Sequence, residues 1–276
     1  MICDYHVHTN FSDDSKYIME DVIKDAIKLG IKEICFTDHV DYGIKLDWDN
    51  YKNIKYDENR PISNVNYPLY FKEIERLQEK YSDKITIKKG LEFGMQMHTI
   101  KDFKRIFDLY PMDFVILSIH QINNQEFWIR EFQKGKTEKE YYDLYYEEMY
   151  NLVQNYHDYS VIGHMDLMRR YDENDGFEFS NNRDKVIQIL KYIIEDGKGI
   201  EVNTSSHRYE LDDLTPSREI LKIYKDLGGK IITIGSDSHV KEDLGAYIEE
   251  TKLELKKLGF QYYCTFENMK PIYHEL

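Results

Sequence analysis

Two hydrophobic periods alternate along this chain. Short, nearly continuous apolar runs rich in Ile, Val and Phe occur at 2–6, 33–37, 85–91, 114–119, 160–163, 199–203 and 230–235, and each predicts a β-strand. Between them the apolar residues recur at helical spacing. "YIMEDVIKDAIKLG" sets Ile18, Val22, Ile23, Ala26, Ile27 and Leu29 on one side and stops at Gly30. Similar stripes predict helices at 69–81, 138–156, 182–195, 216–227 and 241–258, with a shorter one at 100–109. Thr215-Pro216 reads as a helix start, and Gly197, Gly228 and Gly259 read as stops. Strands alternating with helices imply parallel pairing through helical crossovers. Seven such units, with no GxGxxG after the first strand, predict a closed or nearly closed α/β barrel over a doubly wound open sheet.

One segment breaks the rhythm. Residues 40–67, "VDYGIKLDWDNYKNIKYDENRPISNVNY", are polar and aromatic without a clean period, which predicts an insertion that serves as a lid or binding loop or else as a plain polar loop. No repeat or interdomain linker interrupts residues 1–276, so the chain reads as one domain.

Cys3, Cys35 and Cys264 are odd in number, lack CxxC spacing and stand in apolar contexts, which predicts buried thiols rather than disulfides or a zinc finger. No stretch reaches the roughly 18 apolar residues of a membrane span, and no leader pattern precedes Asp4. The expectation is a cytoplasmic protein beginning at Met1. With 37 basic and 51 acidic residues the net charge is −14, which argues against nucleic acid or an anionic membrane as partner. An anionic substrate would need a local cluster of positive charge.

The chemistry stands at the C-terminal ends of the expected strands, the rim where α/β barrels carry their active sites. The first strand ends in His6 and His8, the second in Asp38-His39, the third in Glu92, and the fourth in His120. The fifth ends in His164 with Asp166, the sixth in Asn203, and the seventh in Asp237 with His239. Residues i and i+2 of an extended segment face the same way, so His6 with His8, and Asp237 with His239, can each present two donors to one centre.

Taken singly, each has an ordinary reading: a surface or core histidine, or a cap in the case of Asp166 and Asn203. Taken together they would be many polar groups buried at one rim without partners, which desolvation disfavours. Imidazole with carboxylate is the donor set of zinc, iron or manganese rather than calcium or magnesium. Nine candidates exceed one ion's capacity, implying two or three divalent ions with Glu92 and Asp237 as natural bridges.

In order and spacing, "DYHVHTNFSDDS", "FTDH", "GLEFG", "LSIHQ", "IGHMDL" and "GSDSH" resemble the polymerase and histidinol phosphatase superfamily, in particular its monofunctional histidinol-phosphatases, over nearly the whole chain. The resemblance implies a distorted, TIM-like (β/α)7 barrel with a trinuclear centre. It assigns His6, His8, Glu92 and Asp237 to one ion, with Glu92 bridging to a second that also takes His120 and His164. The third would take a residue of the "FSDDS" turn with His39 and His239. Many relatives have histidine in that turn where this chain has Asp13 and Asp14, and Asp14 fits the position better. A carboxylate there would make the site harder and more tolerant of manganese or iron.

In such relatives arginines clamp the phosphate, which points here to Arg208 and to one of Arg169 and Arg170, with Arg170 favoured. His207 is a candidate substrate contact or an exposed loop residue. In the insertion, Asp41, Tyr42, Asp47, Trp48 and Asp49 offer acids and aromatic faces to a cationic substrate.

The implied reaction is hydrolysis of L-histidinol phosphate in histidine biosynthesis, by a hydroxide bridging two metals. Asp237, His239 or a metal-held water would be the proton donor. Its rivals are a related phosphoesterase acting on phosphotyrosine, nucleotides or sugar phosphates, an amidohydrolase barrel, and a non-catalytic metal-binding protein. An amidohydrolase lacks the histidine two residues after the last aspartate. A non-catalytic protein would be expected to lack some ligands.

Overall fold

Seven strands lie side by side in chain order: β1 (Cys3–Val7), β2 (Glu33–Phe36), β3 (Thr86–Gly94), β4 (Phe114–Ser118), β5 (Val161–Ile162), β6 (Gly199–Asn203) and β7 (Ile232–Gly235). Every neighbouring pair is parallel. The computed structural model describes residues 1–50, 52–57, 60–172 and 179–276; Tyr51, Glu58 and Asn59 of the expected insertion lie outside the described residues. The seven apolar runs are these strands. They read as unbroken apolar runs because a parallel strand is covered on both faces, and β1, β4, β6 and β7 are buried at every residue.

The sheet curls until β7 meets β1 at a single parallel bridge between Val7 and Ser238. There His8 N donates to Ser238 O at 2.8 Å and Ser238 N to His6 O at 3.3 Å. Asp4 reinforces the seam. Its carboxylate accepts from Ser236 N (2.9 Å), Ser236 Oγ (2.5 Å) and Gly245 N (2.9 Å). The result is a nearly closed seven-stranded barrel.

Its helices are α1 (Met19–Leu29), α2 (Tyr67–Lys80), α3 (Ile100–Leu109), α4 (Glu138–Asn155), α5 (Arg183–Glu195), the short α6 (Ser205–Arg208), α7 (Arg218–Asp226) and α8 (Ile248–Lys257). In α1, Met19, Val22, Ile23 and Ala26 are buried on one face, and Gly30, at φ +80°, turns the chain out of the helix. Thr137 and Glu140 form a reciprocal cap at the start of α4. No helix among the described residues is long and apolar enough to cross a membrane.

The structure differs from the pattern in three places. The helix expected to start at Thr215-Pro216 starts instead after Ser217, whose hydroxyl accepts from Ile220 N. The stripe at 241–258 is split into a 3₁₀ turn, Lys241–Asp243, and α8. The intervening chain bends so that Gly245 N reaches Asp4, with Gly245 and Tyr247 at φ +68° and +59°. The chain after α8 forms an antiparallel hairpin, Tyr262–Glu267 with Lys270–Glu275. It packs under the start of the barrel, with the Phe266 ring tilted against Phe114 at 5.0 Å and Phe266 N donating to Tyr5 Oη at 2.7 Å. All three cysteines are buried free thiols, as expected.

Candidate metal centre

Glu92, near the end of β3, is the hub of the opposite mouth. It is fully buried and its two oxygens serve different imidazoles. Oε1 lies 2.9 Å from His164 Nε2 and 3.1 Å from His120 Nε2. Oε2 lies 3.1 Å from His6 Nε2, 3.5 Å from His8 Nε2 and 3.0 Å from His39 Nδ1. Asp237 Oδ1 completes the His6 and His8 group at 3.6 and 3.4 Å. Farther out, Asp14 Oδ2 is 3.2 Å from His39 Nε2 and 3.1 Å from His239 Nε2.

Four sets of donors thus lie within 4.8 Å of one another: His8 with Asp14, His39 and His239; His6 with Glu92 and His164; His6 with His8 and Asp237; and His39 with Asp41 and His120. All nine expected metal ligands are brought to one mouth. They arrive there because parallel strands in chain order end at the same level, and because two ligands adopt unusual backbone, His164 at φ +22° and Asp237 at φ +56°.

The residues fit divalent ions on two grounds. Buried polar atoms here have no hydrogen-bond partner: His6 Nε2, both nitrogens of His8, His39 Nδ1, Glu92 Oε2 and His164 Nδ1. Such atoms are rare in a folded protein unless something else satisfies them. The acids and His8 are also in their ligand form, whereas, against burial, the surrounding carboxylates raise His6, His39, His120 and His239, which would give up a proton to an arriving cation. Burial raises the Glu92 carboxyl, but His6, His120 and His39 outweigh it and hold it well below its ordinary value. Asp237 is held down against burial by His6, His8 and Arg170, and Asp14 by His39 and His239. Burial, followed by repulsion from His239 and His39, keeps His8 neutral, its ligand form.

Asp13 and Asp14 face different partners. Lys45 Nζ lies 2.7 Å from Asp13 and 3.0 Å from Asp41 Oδ2, so Asp13 turns into the insertion while Asp14 faces the imidazoles. Asp41, expected to meet substrate, is buried; its Oδ1 lies 2.9 Å from His120 Nδ1. Gly94 leaves the room for this pair, since a Cβ there would overlap both Asp41 and His120. Tyr42 and Asp47 also turn away from the mouth: Tyr42 Oη donates to Asp47 at 2.7 Å, and Arg105 of α3 pairs with Asp47 at 2.7 Å. Trp48 borders a cleft of about 240 Å³ lined also by Phe11, Asp13 and Tyr56, beside the turn that carries Asp14.

The arginines separate cleanly. Arg170 is nearly buried, 3.3 Å from Asp237 Oδ2, donates to Ser205 Oγ at 2.6 Å and lies 4.2 Å over the Tyr209 ring. Arg208 donates to the Asp237 carbonyl at 3.0 Å, pairs with Asp243 at 3.3 Å and approaches the same ring at 5.3 Å. Arg169 instead pairs with Asp212 and lies 3.7 Å from Asp166. His207 is exposed and stacks on Tyr247 at 4.3 Å.

Asp166, Asn203 and Asp38 are supports. Asp166 accepts from Ser217 N at 2.9 Å, Asn203 from Ser205 N at 3.0 Å, and Asp38 from Thr9 N at 2.7 Å and Ser12 N at 3.0 Å. Two polar residues of the centre escaped the sequence reading. Ser118 Oγ donates to Glu92 Oε1 at 2.7 Å, and Glu201 of β6 lies 2.5 Å from His6 Nδ1. A carboxylate inside the apolar run "GIEVN" was the available signal for the second, because charged residues are almost never fully buried unless paired.

Known proteins resemble this chain in sequence and in fold. Residues 4–205 match the PHP domain family. The chain is 34% identical to the histidinol-phosphatase of Lactococcus lactis over 97% of this chain and 95% of that one. It is 29% identical to a probable histidinol-phosphatase of Clostridium acetobutylicum, over 100% and 97%. The crystal structure of the Lactococcus lactis histidinol phosphate phosphatase, complexed with zinc, L-histidinol and phosphate, superposes with a TM-score of 0.83 at 33% identity and covers 98% of both chains.

Proposed function

This chain belongs to the PHP domain family, and from that premise we propose that it is a metal-dependent phosphomonoesterase that hydrolyses L-histidinol phosphate to L-histidinol and phosphate. The observation that carries the reading is the division of Glu92. One oxygen serves His6 and His8, the other His120 and His164, as a carboxylate shared by two ions would, with two guanidinium groups beside Asp237.

His6, His8, Asp237 and Glu92 Oε2 would hold one divalent ion, and His120, His164 and Glu92 Oε1 a second. Asp14, His39 and His239 would hold a third, each of the three being Zn, Fe or Mn. Ions at these donors supply positive charge to the phosphoryl oxygens and lower the pKa of water from about 15.7 towards 7.

This chain's residues supply the rest. Arg170 and Arg208 converge on Asp237 from outside and donate to the phosphoryl oxygens, a role suited to planar, permanently charged forks. They provide the local positive charge that a chain of net charge −14 otherwise lacks. His239 Nδ1 lies 2.9 Å from the Asp237 carbonyl while Nε2 faces Asp14, so both its nitrogens are engaged. We assign proton transfer to Asp237 Oδ2, the oxygen on the arginine side, where the phosphoryl group would lie. Ionised at rest, it accepts a proton from the attacking water and then returns it to the leaving alkoxide. The cleft with Trp48, Tyr56 and Asp13 would receive the cationic histidinol end.

The test is elemental analysis of the purified protein coupled to phosphate release from L-histidinol phosphate and from p-nitrophenyl phosphate, with and without chelator. Two or three equivalents of metal are expected, with turnover that chelator abolishes and added metal restores. Activity on p-nitrophenyl phosphate alone would remove histidinol phosphate as substrate. Full activity in metal-free protein would remove the metal mechanism.

A further inference from the structure

Glu201 sits mid-strand on β6, two residues below the rim, fully buried and, among the described residues, outside the groups of donors that could hold an ion. Both of its oxygens serve the metal centre. Oε1 lies 2.5 Å from His6 Nδ1, while Oε2 accepts from the backbone N–H of His164 at 3.0 Å and from Asn203 Nδ2 at 3.3 Å. Space for it is made on the neighbouring strand: a Cβ on Gly235 would overlap Glu201 Oε1 and the His6 Cβ together.

We infer that Glu201 is a positioning residue of the metal centre: it accepts the Nδ1 proton of His6 and so selects the tautomer whose Nε2 lone pair faces Glu92 and Asp237. The inference rests on the metal reading above.

A neutral imidazole has one N–H and one lone pair, and the hydrogen bond at one nitrogen decides which role the other plays. A carboxylate at Nδ1 therefore leaves Nε2 bare. His6 Nε2 is one of the buried atoms without a hydrogen-bond partner, 3.1 Å from Glu92 Oε2 and 3.6 Å from Asp237 Oδ1. The second oxygen fixes the backbone of His164, whose φ of +22° is unusual for a non-glycine residue, so one side chain aligns ligands on two strands. The arrangement recurs in the same mouth: His120 Nδ1 faces Asp41 at 2.9 Å while its Nε2 faces Glu92 at 3.1 Å. A buried carboxylate with no such task would cost desolvation for nothing.

The test combines a spectrum and an affinity. Long-range ¹⁵N–¹H correlation of the imidazoles in zinc-loaded wild-type protein, with His6 assigned by its loss in His6→Asn, should show His6 protonated at Nδ1 and bare at Nε2. Competition with a chromophoric chelator should show Glu201→Gln binding zinc about 10- to 100-fold more weakly, with the thermal transition of the stripped protein nearly unchanged. An Nε2–H tautomer in the wild type, or wild-type zinc affinity in Glu201→Gln, overturns the inference. If Glu201→Gln fails to fold, the wild-type spectrum decides alone. A wild type that holds no zinc sinks the metal reading and this inference together, whereas zinc held equally by wild type and variant sinks this inference alone.

Discussion

Replacing Arg170 probes the phosphate clamp most directly, because the structure separates it from its neighbour in sequence. The Arg170 side chain is 11% exposed, lies 4.2 Å over Tyr209 and reaches Asp237 Oδ2 at 3.3 Å. Against a phosphate beside Asp237 its fork can make two charge-assisted hydrogen bonds, each contributing about 1.5–3 kcal/mol. Arg208 and water recover part of the loss in Arg170→Ala, leaving a net cost of about 3 kcal/mol, or roughly 100-fold in kcat/KM. Arg170→Lys keeps the charge but not the fork and should lose about tenfold. Arg169→Ala is the control: its partner Asp212 is 89% exposed, and kcat/KM should stay within about threefold. The assay is steady-state phosphate release from L-histidinol phosphate on protein of measured metal content. Wild-type kcat/KM in a fully metallated Arg170→Ala protein would refute the clamp. Loss of metal in that variant would show instead that Arg170 acts by holding Asp237.

Asp14→Ala should lose about one equivalent of bound metal, whereas Asp13→Ala should keep its full complement, because Asp14 faces His39 and His239 while Asp13 faces Lys45; elemental analysis checks both. Tyr209→Phe should behave as wild type and Tyr209→Ala should raise KM several-fold with kcat little changed, since the ring supports both guanidinium groups. At the α1–α2 contact, hydrogen bonds from Lys80, Arg76 and Tyr81 lower the Glu20 carboxyl from 4.5 to about 2. A depressed carboxylate stabilises the fold above its ordinary pKa and loses that contribution as pH falls from about 4.5 towards 2. Glu20→Gln should therefore be less stable by under about 1 kcal/mol in denaturant unfolding at pH 7, with the difference gone near pH 2.

The sequence by itself determined the barrel and the roster of its mouth. A parallel strand covered on both faces must be apolar throughout, so seven such runs were visible, and the polar residue ending each run stood out against them. That local contrast was enough for His6, His8, His39, Glu92, His120, His164, Asp237 and His239. Tertiary structure decided what depends on partners distant in the chain. The stripe at 241–258 breaks because Asp4, more than 200 residues away, binds Gly245 N. Asp14 rather than Asp13 faces the imidazoles because Lys45 takes Asp13, and Arg170 rather than Arg169 reaches Asp237 because Asp212 takes Arg169. Asp41 and Glu201 show the same limit, since a carboxylate behind an imidazole leaves no periodic mark in its own segment. Periodicity reports which face a residue occupies; the atom it meets there depends on how the whole barrel closes.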